Sequence, residues 1–284
     1  MKMEETVREL QGREVRRRRP KSPQSREMLR RKKQAAKRRR RMQRIRLAGM
    51  FLLAAVLLGV LVKLVSDSGI SFFSEFSLEK EDYLVALLEA LEKNPELEEF
   101  VKGYPDSDGS VTGEITEEEV ARDFPLLLQY DGRWGYVPFG DDMIALSGCA
   151  PTCLSMVVTG LTKTAAAPPD VVADFCEKQG YYEKGVGTSW RLMTEGCQEF
   201  GVRGEELRLD KNLIFSRLEE GQPVICSMRP GDFTTTGHFI VLVGTEDGKL
   251  KVNDPFSRER SSRLWEFEQI QYQIKNLWAF QLAS

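Results

Sequence analysis

A single histidine, His238, and five cysteines, Cys149, Cys153, Cys176, Cys197 and Cys226, are the side chains best equipped for chemistry in this chain. An odd number of thiols leaves at least one unpaired within the chain. With no C-x-x-C pair and one imidazole, the spacing does not indicate a zinc site. Nucleophilic catalysis by a thiolate is the chemistry these residue types can support, and it requires a cysteine, a base and a group that orients the base. In Ser147-Gly148-Cys149-Ala150-Pro151-Thr152-Cys153 the proline marks a first helical turn, where its missing N–H removes no helix bond. Cys149 is therefore expected at the mouth of a helix, where the positive end of the backbone dipole stabilises a thiolate. Gly148 is expected to leave room for a substrate backbone. Cys153, one turn inside, is expected to pack as a small apolar group.

His238 is the only available base. Thr236-Gly237-His238 opens an apolar strand, and Asp247-Gly248 is a turn signal between that strand and one ending at Asn253-Asp254-Pro255. Folding back on so short a loop sets His238 opposite residues 255 to 257, next to Asp254 on the partner strand. An acid there fixes the imidazole's tautomer and stabilises the imidazolium. The amide oxygen of Asn253 is the alternative orienter. Strand alternation points the two side chains to opposite faces, so only one serves, and Asp254 is the candidate. For the oxyanion of acyl transfer, the Cys149 backbone N–H supplies one donor and the side-chain amide of Gln129 is the candidate second. A surface glutamine closing a strand is the alternative for Gln129.

These residues need elements to hold them. Helical signals follow Pro151 and run from Pro169 to Cys176, from Ser189 to Phe200 and around Leu213 to Leu218. Strand signals come afterwards, at Pro223 to Met228, His238 to Gly244, Leu250 to Asn253 and Leu277 to Leu282. Helices first and antiparallel strands later indicate an α+β fold over residues 115–284.

Leu128-Gln129-Tyr130-Asp131 with Arg133-Trp134-Gly135, Gly148-Cys149-Ala150-Pro151-Thr152, Gly187-Thr188-Ser189-Trp190, Phe233 to Phe239 around His238, and Val252-Asn253-Asp254-Pro255 occur in that order. Together they resemble the C-thirty-nine-like peptidases, papain-like enzymes related to the double-glycine leader peptidases of bacteriocin exporters. The resemblance covers about residues 125 to 282. It implies a papain-like cysteine peptidase fold, with Cys149 as nucleophile, His238 as base, Asp254 as orienter and Gln129 as oxyanion donor. Ala150 stands where the family more often has glycine, and its methyl is expected to narrow the cleft. Ser189 or Thr188 is expected to cap a helix, with Trp190 either part of that motif or lining the cleft.

Ahead of this domain the charge is lopsided. Residues 1–46 carry 20 Lys and Arg against 5 Glu, a net +15, so with −2 over the whole chain the remainder carries −17. Lacking aromatics and periodicity, 1–46 is expected to be a basic disordered tail. Without aromatic side chains for base stacking it does not point to nucleic acid, and a solvated tail against anionic lipid is the preferred reading. Leu47 to Val65, with Lys63 as its sole charge, is long enough as a helix to cross the roughly 30 Å hydrocarbon layer. A transmembrane helix is therefore expected over 47–66. Positive charge before it puts the N-terminus in the cytoplasm and the domain outside. A cleaved signal peptide is the alternative, but the n-region is long and no A-x-A-like site follows. Residues 67–114 read as a short helical stalk and linker, with Leu84, Leu87, Leu88 and Leu91 on one helical face. Asn94 caps a second helix with Pro95 at its first position and Leu97, Phe100 and Val101 as its apolar face.

The expected activity is peptide-bond hydrolysis by a membrane-anchored, extracytoplasmic cysteine peptidase acting on a peptide or protein substrate, with no metal or organic cofactor implied. A non-catalytic peptide-binding module of the same fold and a cell-wall peptide amidase are the rival readings.

Overall fold

The computed structural model describes residues 76–283, with side chains from Tyr83 onward. The expected tail (1–46), membrane span (47–66) and beginning of the stalk lie outside these residues. Among the described residues no helix is long and apolar enough to cross a membrane.

The labelled helices are α1 (Phe76–Lys93), α2 (Glu98–Gly103), α3 (Cys149–Thr162), α4 (Pro169–Lys178), α5 (Lys211–Glu219) and α6 (Arg258–Ser261). The main sheet contains β1 (Val202–Glu206), β2 (Val224–Met228), β3 (His238–Glu246), β4 (Lys249–Asn253), β5 (Leu264–Trp265) and β6 (Ile274–Leu282). Its order is β1-β6-β2-β3-β4-β5, and every pair is antiparallel. Helices precede most of the strands, which is the α+β arrangement expected. The sheet is covered on both faces. Ile225, Val241, Trp278 and Phe280 pack with Leu154, Met156 and Val157 of α3. Val224, Cys226, Ile240, Leu242 and Leu277 pack on the other side with Ile214 and Leu218 of α5. Alternate residues of β2 thus enter different cores, which is why all five of its residues are buried. Full burial of a Leu, Val or Ile side chain contributes roughly 1.5–3 kcal/mol, so α3 is a firm platform for the residue at its start.

The β3–β4 hairpin has the two-residue turn the sequence signals. Asp247 (φ 51°) and Gly248 (φ 73°) both take the left-handed conformation that matches the strands' twist. Val241 pairs with Asn253 and Leu242 with Val252, so the same register carried past the end of β4 sets His238 level with residue 256.

Two expectations change. The stretch from Ser189 to Phe200 is not one helix but two 3₁₀ turns, Trp190–Met193 and Gly196–Phe200, separated by Thr194 and Glu195 and closed by Gly201 (φ 73°). Glycine is a poor residue for continuing a helix. The helical segment ahead of the domain does not stand away from it. Leu87, Ala90, Leu97, Phe100, Val101 and Tyr104 form one buried cluster with Leu128, Tyr130, Met143 and Ala145. On α1 the buried stripe is Leu87 and Ala90, continued by Asn94 just past its end, whereas Leu84 and Leu88 are 36% and 47% exposed. The anticipated four-leucine face is therefore only partly the packing face. Asn94 does cap the next turn, accepting from the Glu96 N–H, with Pro95 at its first position.

Candidate active site

Gly148 precedes Cys149, the first residue of α3, and the cysteine side chain is half-buried. The first N–H groups of a helix lack intrahelical acceptors and face whatever lies beyond its start. Gly148 is required by the chain itself, because a Cβ there would sit 2.5 Å from the Ile144 carbonyl oxygen and 2.6 Å from the Ile144 side chain. Its expected role of leaving room for substrate is not needed to explain it. Ala150 is 1% exposed within the α3 core cluster, so its methyl packs inward and does not narrow the cleft.

His238 opens β3, opposite Met228 of β2. Its Nε2 lies 2.7 Å from Asp254 Oδ1, and the Cys149 side chain lines the same cleft near enough to influence the ring. With Nε2 taken by the carboxylate, Nδ1 is the nitrogen left for the thiol. Burial opposes a charged imidazole here. The charge and hydrogen bond of Asp254, aided by the nearby Cys149, outweigh it and raise the His238 pKa from 6.5 to about 10.

Asp254 is fully buried. Burial works to raise its pKa, but the His238 charge and hydrogen bond and the Arg260 guanidinium prevail and lower it. Its Oδ1 also accepts from the Phe256 N–H at 2.8 Å, and its Oδ2 accepts from Arg260 Nε. Its own N–H donates to Ser261 Oγ at 2.9 Å. Asn253 faces elsewhere, as alternation requires, donating through Nδ2 to the Phe124 and Pro125 carbonyls.

Gln129 is 2% exposed and lies outside any strand, so it is not a surface glutamine. It lines the cleft with Cys149 and His238. One of its Nε2 hydrogens is already donated to the Ala145 carbonyl at 2.8 Å, and its Oε1 has no partner among the described residues. Its backbone N–H donates to Pro255 O at 2.8 Å, fixing the segment that follows Asp254. The neighbouring motif residues brace rather than react: Arg133 pairs with Asp131 and Glu119 at 2.8 Å and lies over the Trp134 ring.

The cleft has a volume of about 480 Å³ and is bounded by Cys149, His238, Gln129, Arg260 and the Gly231–Gly237 loop. Ala86, Glu89, Ala90 and Lys93 of α1 form another wall. Trp190 is not part of it. Its ring packs edge-on against Trp278 at 5.6 Å, and Ser189 Oγ caps its 3₁₀ turn. All five cysteines are free thiols, and four are buried. For Cys153 burial is the main cause that pushes the thiol pKa well up, followed by the proximity of Cys149.

The sequence model of the Peptidase_C39 like family matches residues 121–279, a stretch that contains Cys149, His238, Asp254 and Gln129. The chain belongs to the Peptidase_C39 like family. Members of this family are cysteine peptidases. Solved structures that the chain is similar to include two peptidases of transporters. One is the peptidase domain of Streptococcus ComA, a bi-functional ABC transporter involved in a quorum-sensing pathway. It is 20% identical, with 48% of this chain and 91% of that chain covered and a TM-score of 0.37. The other is a double glycine motif protease from an AMS/PCAT transporter in complex with the leader peptide. It is 18% identical, with 61% and 97% covered and a TM-score of 0.37. No curated protein matches the chain.

Glu96 and Arg260 escaped the sequence reading, as did the reach of Asn94 to the Phe256 carbonyl. Arg260 carried a weak signal, since Ser257 is a helix-capping residue and a short helix begun there turns residues 260 and 261 back toward Asp254. Glu96 carried none, lying 161 residues from Ser257.

Proposed function

We propose that this member of the Peptidase_C39 like family hydrolyses peptide bonds through Cys149, His238 and Asp254. The observation that supports it most is the buried Asp254 carboxylate 2.7 Å from Nε2 of the His238 ring, in the cleft that the Cys149 side chain also lines. At neutral pH the raised His238 pKa favours an imidazolium beside the cysteine, whose proton it has taken. The Cys149 sulfur attacks the substrate carbonyl carbon, forming a C–S bond while the carbonyl electron pair moves onto oxygen. The Cys149 N–H and the second Nε2 hydrogen of Gln129 donate to that oxyanion. The C–N bond then breaks and His238 hands its proton to the leaving amine. Water, deprotonated by the same ring, attacks the thioester, and loss of the sulfur frees the acid and restores Cys149.

The reading includes a peptide or protein substrate and a location outside the cytoplasmic membrane. The positive charge of 1–46 followed by the apolar stretch Leu47 to Val65 supports the latter. Digestion of a diverse peptide library by the full chain tests the activity. New cleavage products are expected from the wild type and none from Cys149→Ala; products of equal yield from both would end this reading.

A further inference from the structure

Glu96 lies outside the family-matched stretch, yet it is tied to the segment that carries the His238 partner. Its Oε1 accepts from the Ser257 hydroxyl at 2.6 Å and the Glu259 N–H at 3.2 Å. Its Oε2 accepts from the Arg258 N–H at 2.8 Å and the Tyr130 hydroxyl at 2.9 Å. The adjacent Asn94 donates through Nδ2 to the Phe256 carbonyl. Residues 256–259 are thus gripped by two side chains from the turn between α1 and α2. Ser257 in turn caps α6, accepting from the Arg260 N–H at 3.1 Å. Arg260 and Ser261 then return to Asp254, one to its carboxylate and the other to its backbone N–H.

We propose that Glu96 is a positioning residue for the Asp254–His238 pair, acting through the 254–261 segment. The inference rests on the proposed role of Cys149 as the nucleophile. A carboxylate that accepts four hydrogen bonds fixes its donors more tightly than a neutral group does, because bonds to a charged acceptor are about twice as strong. It is held ionised there. Partial burial is the largest influence and works against ionisation, but the bonds from Ser257, Arg258, Glu259 and Tyr130 lower its pKa overall. Without Glu96 the start of α6 loses its acceptor, Arg260 and Ser261 lose their fixed place, and the Asp254 carboxylate is free to turn away from Nε2. His238 then holds its proton less firmly beside Cys149. The N-terminal segment in this way serves the site it also walls, since Glu89 and Lys93 border the same cleft.

The test uses the full chain and iodoacetamide as the probe, reading the alkylation rate of Cys149 at pH 6 and pH 9.5 by mass spectrometry. In Glu96→Ala the rate at pH 6 should fall about tenfold, a part of the roughly 10²–10⁴ that a positioned base contributes, with less than a twofold change at pH 9.5. Glu96→Gln keeps the size and one acceptor oxygen, so it should fall by about threefold and carries the test if the alanine variant does not fold. A lowered melting temperature with an unchanged rate at pH 6 is the outcome of a purely structural residue and overturns the proposal. If wild-type Cys149 itself reacts no faster at pH 6 than a solvated thiol, the peptidase reading falls first and this one with it.

Discussion

His238 and Asp254 are 16 residues apart in the chain and 2.7 Å apart at Nε2 and Oδ1, a relationship created by a two-residue turn at Asp247-Gly248. Asn253, one residue away from the acid, points to the opposite side and holds the Phe124 and Pro125 carbonyls. Asp254→Ala should therefore slow peptide hydrolysis by roughly 10² or more. Asn253→Ala should leave kcat within about threefold while lowering the melting temperature, since a buried hydrogen-bonding side chain is worth about 1–3 kcal/mol. Steady-state kinetics and thermal unfolding of the two variants separate these effects.

Stability should depend on pH through His238. Its pKa is near 6.5 when unfolded and about 10 when folded. Below about pH 6.5 both states hold the proton and the stabilisation from Asp254 is fully present. As pH rises toward about 10 the unfolded chain releases its proton while the folded one retains it, so the contribution shrinks and is gone above that value. Urea unfolding of wild type and His238→Gln should show a stability difference that narrows across this window. A difference that widened would refute the protonated, paired ring.

Trp190 packs on Trp278 rather than bordering the cleft. Trp190→Ala is expected to reduce stability by about 1–3 kcal/mol, because the ring is already 37% exposed, and to leave KM within twofold. A large rise in KM with unchanged stability would return Trp190 to the substrate's path.

What the sequence discloses about this fold follows how local each signal is. The helix start at Cys149 and the hairpin linking His238 to Asp254 depend on Pro151 and on Asp247-Gly248, residues that act within a few positions of themselves. The two-faced burial of β2 leaves no alternation to read, and the short edge strand β5 is only Leu264–Trp265, so its two residues cannot establish a period. The grip of Glu96 on Ser257 and Arg258 is a tertiary event across more than half of the chain. Nothing near residue 96 distinguishes it from the other acids of that segment. The inward packing of the Ala150 methyl is likewise decided by the core around it, not by its neighbours in the chain.

The proposed topology is open to a direct check. Protease added to intact cells, or to spheroplasts where an outer membrane is present, should digest the domain from residue 115 onward and spare a tag at residue 1. The reverse pattern of protection would rule out a cytoplasmic N-terminus.

The nucleophile itself is the claim on which the chemistry stands, and Cys149 and Cys153 offer the sharpest contrast within one helix. Cys149 is half-buried at the helix start beside His238, whereas Cys153 is wholly buried and its thiol is pushed toward the neutral form. Iodoacetamide at pH 6, followed by mapping of the modified peptide, should find label on Cys149 in the native wild type. His238→Ala should lose most of that label, and Cys153 should react only on unfolding. Label on Cys153 in the native protein, or a Cys149 rate indifferent to His238, would contradict the proposed mechanism.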